Sequence, residues 1–332
     1  MGRGGTTLAS RIGKGGEACA RRRSAHARPQ RSHALTPAER FESFTRSKLN
    51  VIYVDSDAEA KRMAKLVREL EPSFIGLDFE TASKNGHFGS LNGSLRTIQI
   101  GLDEPERGIT PVQIVIDCHR ADPAPFRSLL RSRQVEKLIH YMDFEQEWAL
   151  MHLGVSIGNI YDTCIAGQEI RKKLRELEED DVKRLVPGGI HVNNKLATLV
   201  SHYCGMEMPK ENQASDWSQE QLRPDQVVYA AMDVATMPLI ASELKRLASA
   251  LGIEKEIDKR IAWVKKRIAD RVERLQQQNS DDAGRIATAL LRAETKDELE
   301  RIWRARRQMT VFAEHSEQLQ EIYGNRRKEL SA

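Results

Sequence analysis

The sequence has few cysteines and no close pair among them. There are four in 332 residues, none in a Cys-x-x-Cys pair and none at a zinc-ligand spacing from a histidine. Neither a zinc cluster nor a disulfide framework is therefore expected, and buried thiols in a reducing, cytoplasmic compartment are the predicted state. The four stand at Cys19, Cys118, Cys164 and Cys204.

Long hydrophobic runs are also lacking. The most apolar short stretch, residues 112–118, is far shorter than the roughly 18 residues that a membrane-spanning helix needs. The sequence therefore predicts no membrane association. The hydrophobic fraction of 40% is sufficient for a core, so wholesale disorder is not expected either.

Most of the chain lacks an excess of positive charge. The formal net charge is +4, but residues 1–48 hold eleven Lys and Arg against three Glu, a balance of +8. The remainder therefore carries −4. The basic character of this protein belongs to its N-terminal tail.

That tail, residues 1–49, is rich in Arg, Gly, Ser and Ala, includes Arg21, Arg22 and Arg23, and shows no sustained apolar periodicity. It is predicted to be disordered. Three interpretations stay open: a solvated extension, an arm that attracts nucleic acid, and an organellar transit peptide.

Residues 50–251 show strands first in succession and then interleaved with helical patterns. This order predicts an α/β domain with a mixed sheet. Strands are expected at residues 51–54, 73–81, 96–102, 112–118, 137–140 and 159–161.

Two pairs of side chains in this region suggest metal chemistry. Asp78 and Glu80 lie two apart on a strand with apolar flanks, so both leave the same face of the sheet and repel one another unless a cation lies between them. Tyr229 and Asp233 lie four apart, one turn from each other on a predicted helix. Either pair alone would more often be structural; their combination favours a metal site.

These residues fall within three segments that resemble the exonuclease motifs of the DEDD superfamily, in its tyrosine-containing branch of ribonuclease D and the proofreading domain of DNA polymerase I. The segments are residues 78–81, 139–145 and 229–233. Further similarity lies in residues 97–101, 196–200 and 215–218, and in Gly205, Lys210, Leu222 and Gln226. The resemblance covers about residues 51–250.

The resemblance implies a ribonuclease H-like fold and hydrolysis of nucleic acid from its 3′ end with two metal ions, Mg²⁺ or Mn²⁺. It implies that Asp78 is shared by both ions, that Glu80 and Asp233 ligate the ion that holds the attacking water, and that Tyr229 orients this water. Val228 stands where the histidine branch carries its base, and valine cannot titrate.

One position departs from the family pattern. Members usually have Asp five residues after the histidine that corresponds to His140, and Glu145 stands there. Asp162, seventeen residues further, aligns with the aspartate of a family Phe-Asp-Thr and supports Glu145 as the ligand. Asp143 is the alternative. We expect the longer side chain to preserve metal binding.

Residues 252–332 are predicted to form a separate, all-helical C-terminal region. Apolar residues from Ile253 to Leu275 recur at spacings of three and four, which predicts a long amphipathic helix that ends near residues 280–284. Shorter helices are expected at residues 285–291, 296–308 and 311–330. The apolar seam could pack on the nuclease body or join copies of the chain into a homo-oligomer.

The sequence therefore predicts a 3′-to-5′ exonuclease that acts on the 3′ end of single-stranded RNA or DNA. The site residues are Asp78, Glu80, Glu145, Tyr229 and Asp233, and all but Tyr229 are predicted metal ligands. The alternative is a nucleic-acid-binding module with a degenerate nuclease site. The motifs do not distinguish RNA from DNA, because recognition of a 2′-hydroxyl depends on the shape of the pocket.

Overall fold

The structure is a computed structural model that describes residues 35–83, 93–208, 215–306 and 315–331. Lys210 and the arginine run at residues 21–23 lie outside these ranges.

One mixed sheet of six strands forms the centre of the described chain. Its strand order is β1-β4-β3-β2-β5-β6, with antiparallel pairing of β3 to both β2 and β4 and parallel pairing elsewhere. The α/β class and all six predicted strands are confirmed. The strands are β1 (Val51–Val54), β2 (Phe74–Ser83), β3 (Gly93–Glu104), β4 (Ile109–Asp117), β5 (Glu136–Ile139) and β6 (Ile160–Asp162).

Helices flank this sheet and continue beyond it. Among the described residues they are α1 (Pro37–Lys48), α2 (Asp57–Leu70), α3 (Arg127–Arg131), α4 (Met142–Leu153), α5 (Thr163–Leu174), α6 (Glu179–Leu185), α7 (Leu196–Cys204), α8 (Pro224–Leu251), α9 (Glu254–Arg292), α10 (Lys296–Arg306) and α11 (Ser316–Glu329).

Helix α8 is the apolar helix that covers the centre of the sheet, against β2, β3 and β4. It begins with Pro224 in its first turn, where the missing N–H costs nothing. By length and composition it could span a membrane, but 56% of its most apolar window is buried within the protein. Its hydrophobicity is therefore accounted for by packing on the sheet.

The predicted disordered tail needs a correction at its end, because α1 occupies Pro37–Lys48. The side chains and backbone of Thr36 and Glu39 form a reciprocal capping box, and Phe41 is buried in the main core. The short apolar pattern of this helix was missed because Phe41 alone among its residues is buried.

Helix α9 runs unbroken to Arg292, so the predicted break at residues 280–284 is wrong. Gln277 donates to Asp281 and Arg285 pairs with Asp282, so the side chains of both acids bond to neighbours within the continuous helix. The seam residues Ile257, Ile261, Val264, Ile268 and Val272 belong to the same core as the sheet. The seam therefore packs on the sheet domain and is not exposed for self-association.

A second, smaller core forms beyond this seam. It joins the end of α9 to α10 and α11, with Trp303 stacked on Tyr323 at 4.2 Å between ring centroids. Its buried members are Ala283, Ile286, Leu290, Ala293, Leu299 and Leu319.

Candidate metal centre

The face of the sheet beneath α8 carries a cluster of polar side chains. Gly76, Asp78 and Glu80 alternate on β2, so they share one face. Across the antiparallel ladder they pair with Gly101, Gln99 and Thr97, and the register shifts immediately after Glu80. Both Asp78 and Glu80 therefore face α8.

Two glycines let the backbone of α8 approach this face. A Cβ atom at Gly76 would lie 2.5 Å from the carbonyl oxygen of Val234, and one at Gly101 would lie 2.7 Å from the same oxygen. Real Cβ atoms do not come this close, so any larger residue would displace the helix. The glycine pair thereby fixes the height of Asp233, the neighbour of Val234, above the sheet.

This approach brings three carboxylates together. One oxygen each from Asp78, Glu80 and Asp233 lies within 4.8 Å of the others, and all three side chains are half-buried. Burial raises the pKa of Asp78 to about 6. Burial, reinforced by the neighbouring carboxylates, raises the pKa values of Glu80 and Asp233 well above their usual range.

Glu145 joins this group from the first turn of α4. Its side chain is only 2% exposed and its carboxyl forms a hydrogen bond with that of Asp78. Burial first, and then the charge of Asp78, raises the pKa of Glu145 well above its usual range. The Oε2 atom of Glu145 has no hydrogen-bond partner among the described residues.

Asp143, the alternative to Glu145, lies elsewhere. Its carboxylate forms an ion pair with Arg267 of α9. The structure therefore brings Glu145, and not Asp143, to the three carboxylates.

Asp162 holds the start of α4 in place. Its carboxylate accepts N–H groups from Met142 at 2.7 Å and Tyr141 at 3.4 Å, and from Cys164 and Ile165 at the start of α5. One buried side chain thus caps both helices. The sequence analysis used Asp162 to align the motif but missed this function.

Tyr229 lies one turn before Asp233 on α8 and is half-buried. Burial, followed by the charges of Asp233, Glu80 and Asp78, raises the pKa of its hydroxyl. The hydroxyl therefore stays protonated at neutral pH and can donate a hydrogen bond toward this group.

Two other residues from the family-like segments, His140 and Trp217, have structural roles. The ring of His140 lies 2.9 Å from the hydroxyl of Thr163, and burial lowers its pKa to about 4, so it is neutral at physiological pH. Trp217 is 7% exposed and belongs to a core cluster.

The polar neighbours Gln99 and Thr97 were not predicted as site residues. The amide of Gln99 donates to the Thr97 hydroxyl at 2.8 Å, while its Oε1 has no partner among the described residues. The sequence pattern that could have identified Thr97 and Gln99 is their alternation with apolar residues over 97–101. This segment lies on the strand that pairs with Asp78 and Glu80.

Comparison with known proteins decides the family. A sequence model described as 3′-5′ exonuclease matches residues 51–248. The chain belongs to this family. As a 3′-5′ exonuclease it is a hydrolase of phosphodiester bonds, and enzymes of this family depend on divalent metal ions. No curated protein matches the sequence significantly.

Solved structures of nucleases have a similar fold. RNase D of Escherichia coli has 18% identity and a TM-score of 0.53, covering 83% of this exonuclease and 75% of that chain. The catalytic core of RRP6 from Trypanosoma brucei has 19% identity and a TM-score of 0.50, covering 65% of this exonuclease and 52% of that chain. At these identities the likeness shows the fold alone, and it confirms the predicted ribonuclease H-like architecture.

We expect Gly76→Ala to damage the site through α8. The added methyl group would force Val234, and with it Asp233, away from the sheet, and overpacking of this kind costs about 1–3 kcal/mol. Thermal unfolding should shift downward and the exonuclease rate should fall at least about tenfold. Gly284→Ala on α9 is the control: no atom lies within 4 Å of its Cβ, so stability should rise by up to about 1 kcal/mol with an unchanged rate. Equal rates in the two variants would refute the role of the glycine pair.

Proposed function

We propose that this exonuclease removes nucleotides from the 3′ end of single-stranded nucleic acid with two divalent ions held by Asp78, Glu80, Glu145 and Asp233. The observation that carries the proposal is the approach of three carboxylates within 4.8 Å on the face of the sheet that α8 covers. Such a group is unfavourable without a cation and favourable with one.

The residues present fit such ions. Carboxylate oxygens are the hard donors that Mg²⁺ and Mn²⁺ prefer. The unpartnered Oε2 of Glu145 is a further available donor beside Asp78. When bound, the ions supply positive charge for the phosphate and lower the pKa of a bound water.

Each side chain then has a defined task. Asp78 lies between Glu145 on one side and Glu80 and Asp233 on the other, which suits it to contribute to both ion sites. Glu145 must give up its proton to act as a ligand, so metal binding should release protons. Tyr229 donates its hydroxyl hydrogen bond to the attacking water and so orients it for attack on the phosphate.

The test is an assay of polarity and metal dependence. Single-stranded RNA and DNA of equal sequence, labelled at either the 5′ or the 3′ end, are incubated with the full-length protein and Mg²⁺, Mn²⁺ or EDTA. We expect 5′-labelled strands to shorten stepwise, 3′-labelled strands to release mononucleotide at once, and EDTA to stop both. Binding without shortening in either metal would instead favour the degenerate nucleic-acid-binding module.

A further inference from the structure

The outward face of α9 presents an exposed aromatic ring beside two guanidinium groups. Trp263 is 51% exposed, and Arg260 and Arg267 lie over its ring at 4.7 and 5.0 Å from the centroid. Trp263, Arg267 and residues of the next two turns border a shallow groove of about 340 Å³. We call this surface the Trp263 face; its residues are Arg260, Trp263, Lys266, Arg267, Asp270 and Arg274.

The Trp263 face is positively charged in a body that is not. It has four cationic groups and one acid, Asp270, which pairs with Lys266 at 2.6 Å. Among the described residues no acid forms an ion pair with Arg260 or Arg274. The charge therefore suits an anionic partner.

Ion pairs connect α9, which carries this face, to α4, the helix that carries Glu145. Arg267 pairs with Asp143 and Arg271 pairs with Glu147, so α4 and α9 run parallel, with matched steps of four residues. Asp143 is two residues before Glu145 on the same helix. Residues two apart on a helix point to opposite sides, so the Trp263 face lies on the outer side of the helix that supplies Glu145.

The same register places Trp263 near the start of α4, the end of the helix that carries Glu145. Trp263 precedes Arg267 by one turn, about 6 Å along the axis. Because Arg267 pairs with Asp143 at the start of α4, Trp263 lies level with the turn before that helix. The turn that precedes α4 contains Tyr141, 57% exposed and in the left-handed conformation with φ of 76°. Two exposed aromatic side chains therefore mark this end of the helix pair.

We propose that the Trp263 face binds the single strand upstream of its 3′ end, with a base stacked on Trp263 and phosphates paired with Arg260 and Arg274. An aromatic ring flanked by cations is a base-stacking platform that tolerates any sequence. The face carries no broad apolar patch that would fit a second copy. The proposal rests on the proposed function, since it assigns a path to the substrate of that site.

Binding is measured with Asp78→Asn as the parent, because it should not cut the strand. Trp148 and Trp217 are buried and Trp303 is stacked on Tyr323, so Trp263 is the fluorescent reporter most open to quenching among the tryptophans. Titration with a single-stranded 12-mer in Mg²⁺ should quench fluorescence, and Trp263→Phe should remove most of this quenching. A dinucleotide, too short to reach the ring from the metal site, should quench far less.

Affinity is measured in the same background by anisotropy of a labelled 12-mer. Trp263→Ala should weaken Kd about tenfold or more, while Trp263→Phe, which keeps a ring, should weaken it less. Arg260→Ala with Arg274→Ala should lower the slope of log Kd against log salt by about 1.4, the amount for two phosphates on a single strand. Lys61→Ala, which removes a positive charge from an exposed position on α2, is the control; it should change neither Kd nor its salt dependence.

The proposal is overturned if Trp263→Ala and the double arginine variant bind within about twofold of the parent. It is also overturned if they leave binding intact and convert a dimer into a monomer, since the face would then join copies of the chain. Neither result depends on hydrolysis: loss of stepwise shortening with intact Trp263 quenching would refute the proposed function and not this surface.

Discussion

Replacing Asp78 with asparagine should reduce exonuclease turnover by at least about 1,000-fold, a cost of about 4 kcal/mol in the transition state. The same substitution should raise the melting temperature of the metal-free protein. Both results follow from one geometry, since carboxylates within 4.8 Å of one another hold a cation well and repel each other without it.

The gain in stability should depend on pH. Burial raises the pKa of Asp78 to about 6 in the folded protein, above its value in the unfolded chain. The ionised group therefore destabilises the fold at high pH, and this penalty fades as pH falls through 6. Asparagine removes it, so the stabilisation should be largest near pH 8 and smallest near pH 5, on the order of 1–3 kcal/mol at its greatest.

Thermal melts in EDTA at pH 5, 6 and 8 measure this difference directly. Asp143→Asn is the control, because it removes a carboxylate outside the group. Adding Mn²⁺ should raise the melting temperature of the wild type and barely change that of Asp78→Asn. A lower melting temperature for Asp78→Asn at pH 8 would contradict the electrostatic strain that we assign to the group.

Glu145→Gln should lower kcat by about 100-fold or more, whereas Asp143→Asn should change it by no more than about twofold. The reason is position: Glu145 bonds to Asp78, while Asp143 pairs with Arg267 at a partly exposed site. An exposed pair of this kind contributes about 0–1 kcal/mol to stability. Steady-state rates on a 5′-labelled single strand measure the contrast.

Glu145→Asp is the informative third variant. It restores the residue usual in the resembling family and shortens the side chain by one methylene, about 1.5 Å. We expect it to keep more activity than Glu145→Gln, with a changed ratio of rates in Mg²⁺ and Mn²⁺. If Asp143→Asn were inactive and Glu145→Gln fully active, the assignment of this ligand would be wrong.

Much of the fold and of the candidate site could be predicted because the pattern is local. Each strand is visible in the sequence as a short run of β-branched and apolar residues. The spacing of two between Asp78 and Glu80 places both side chains on one face of the sheet. The distance of four between Tyr229 and Asp233 likewise required only that α8 be helical.

The remaining features depend on contacts between distant segments. Gly76 and Gly101 both contact the backbone at Val234, although they precede it by 158 and 133 positions in the sequence. The double cap made by Asp162 and the ion pairs between α4 and α9 also join separate elements. Local periodicity carries no information on these, and it also placed the end of α9 near residues 280–284, where the helix continues.

The most direct test of the account is a crystal structure of the wild type grown with Mn²⁺ and a short single strand that resists hydrolysis. Anomalous scattering should show two ions about 3.5–4 Å apart. Both should contact Asp78, with Glu80, Asp233 and Glu145 as the other protein ligands. Ions located elsewhere, or no ion between Asp78, Glu80 and Asp233, would contradict the central claim that these carboxylates form a two-metal centre.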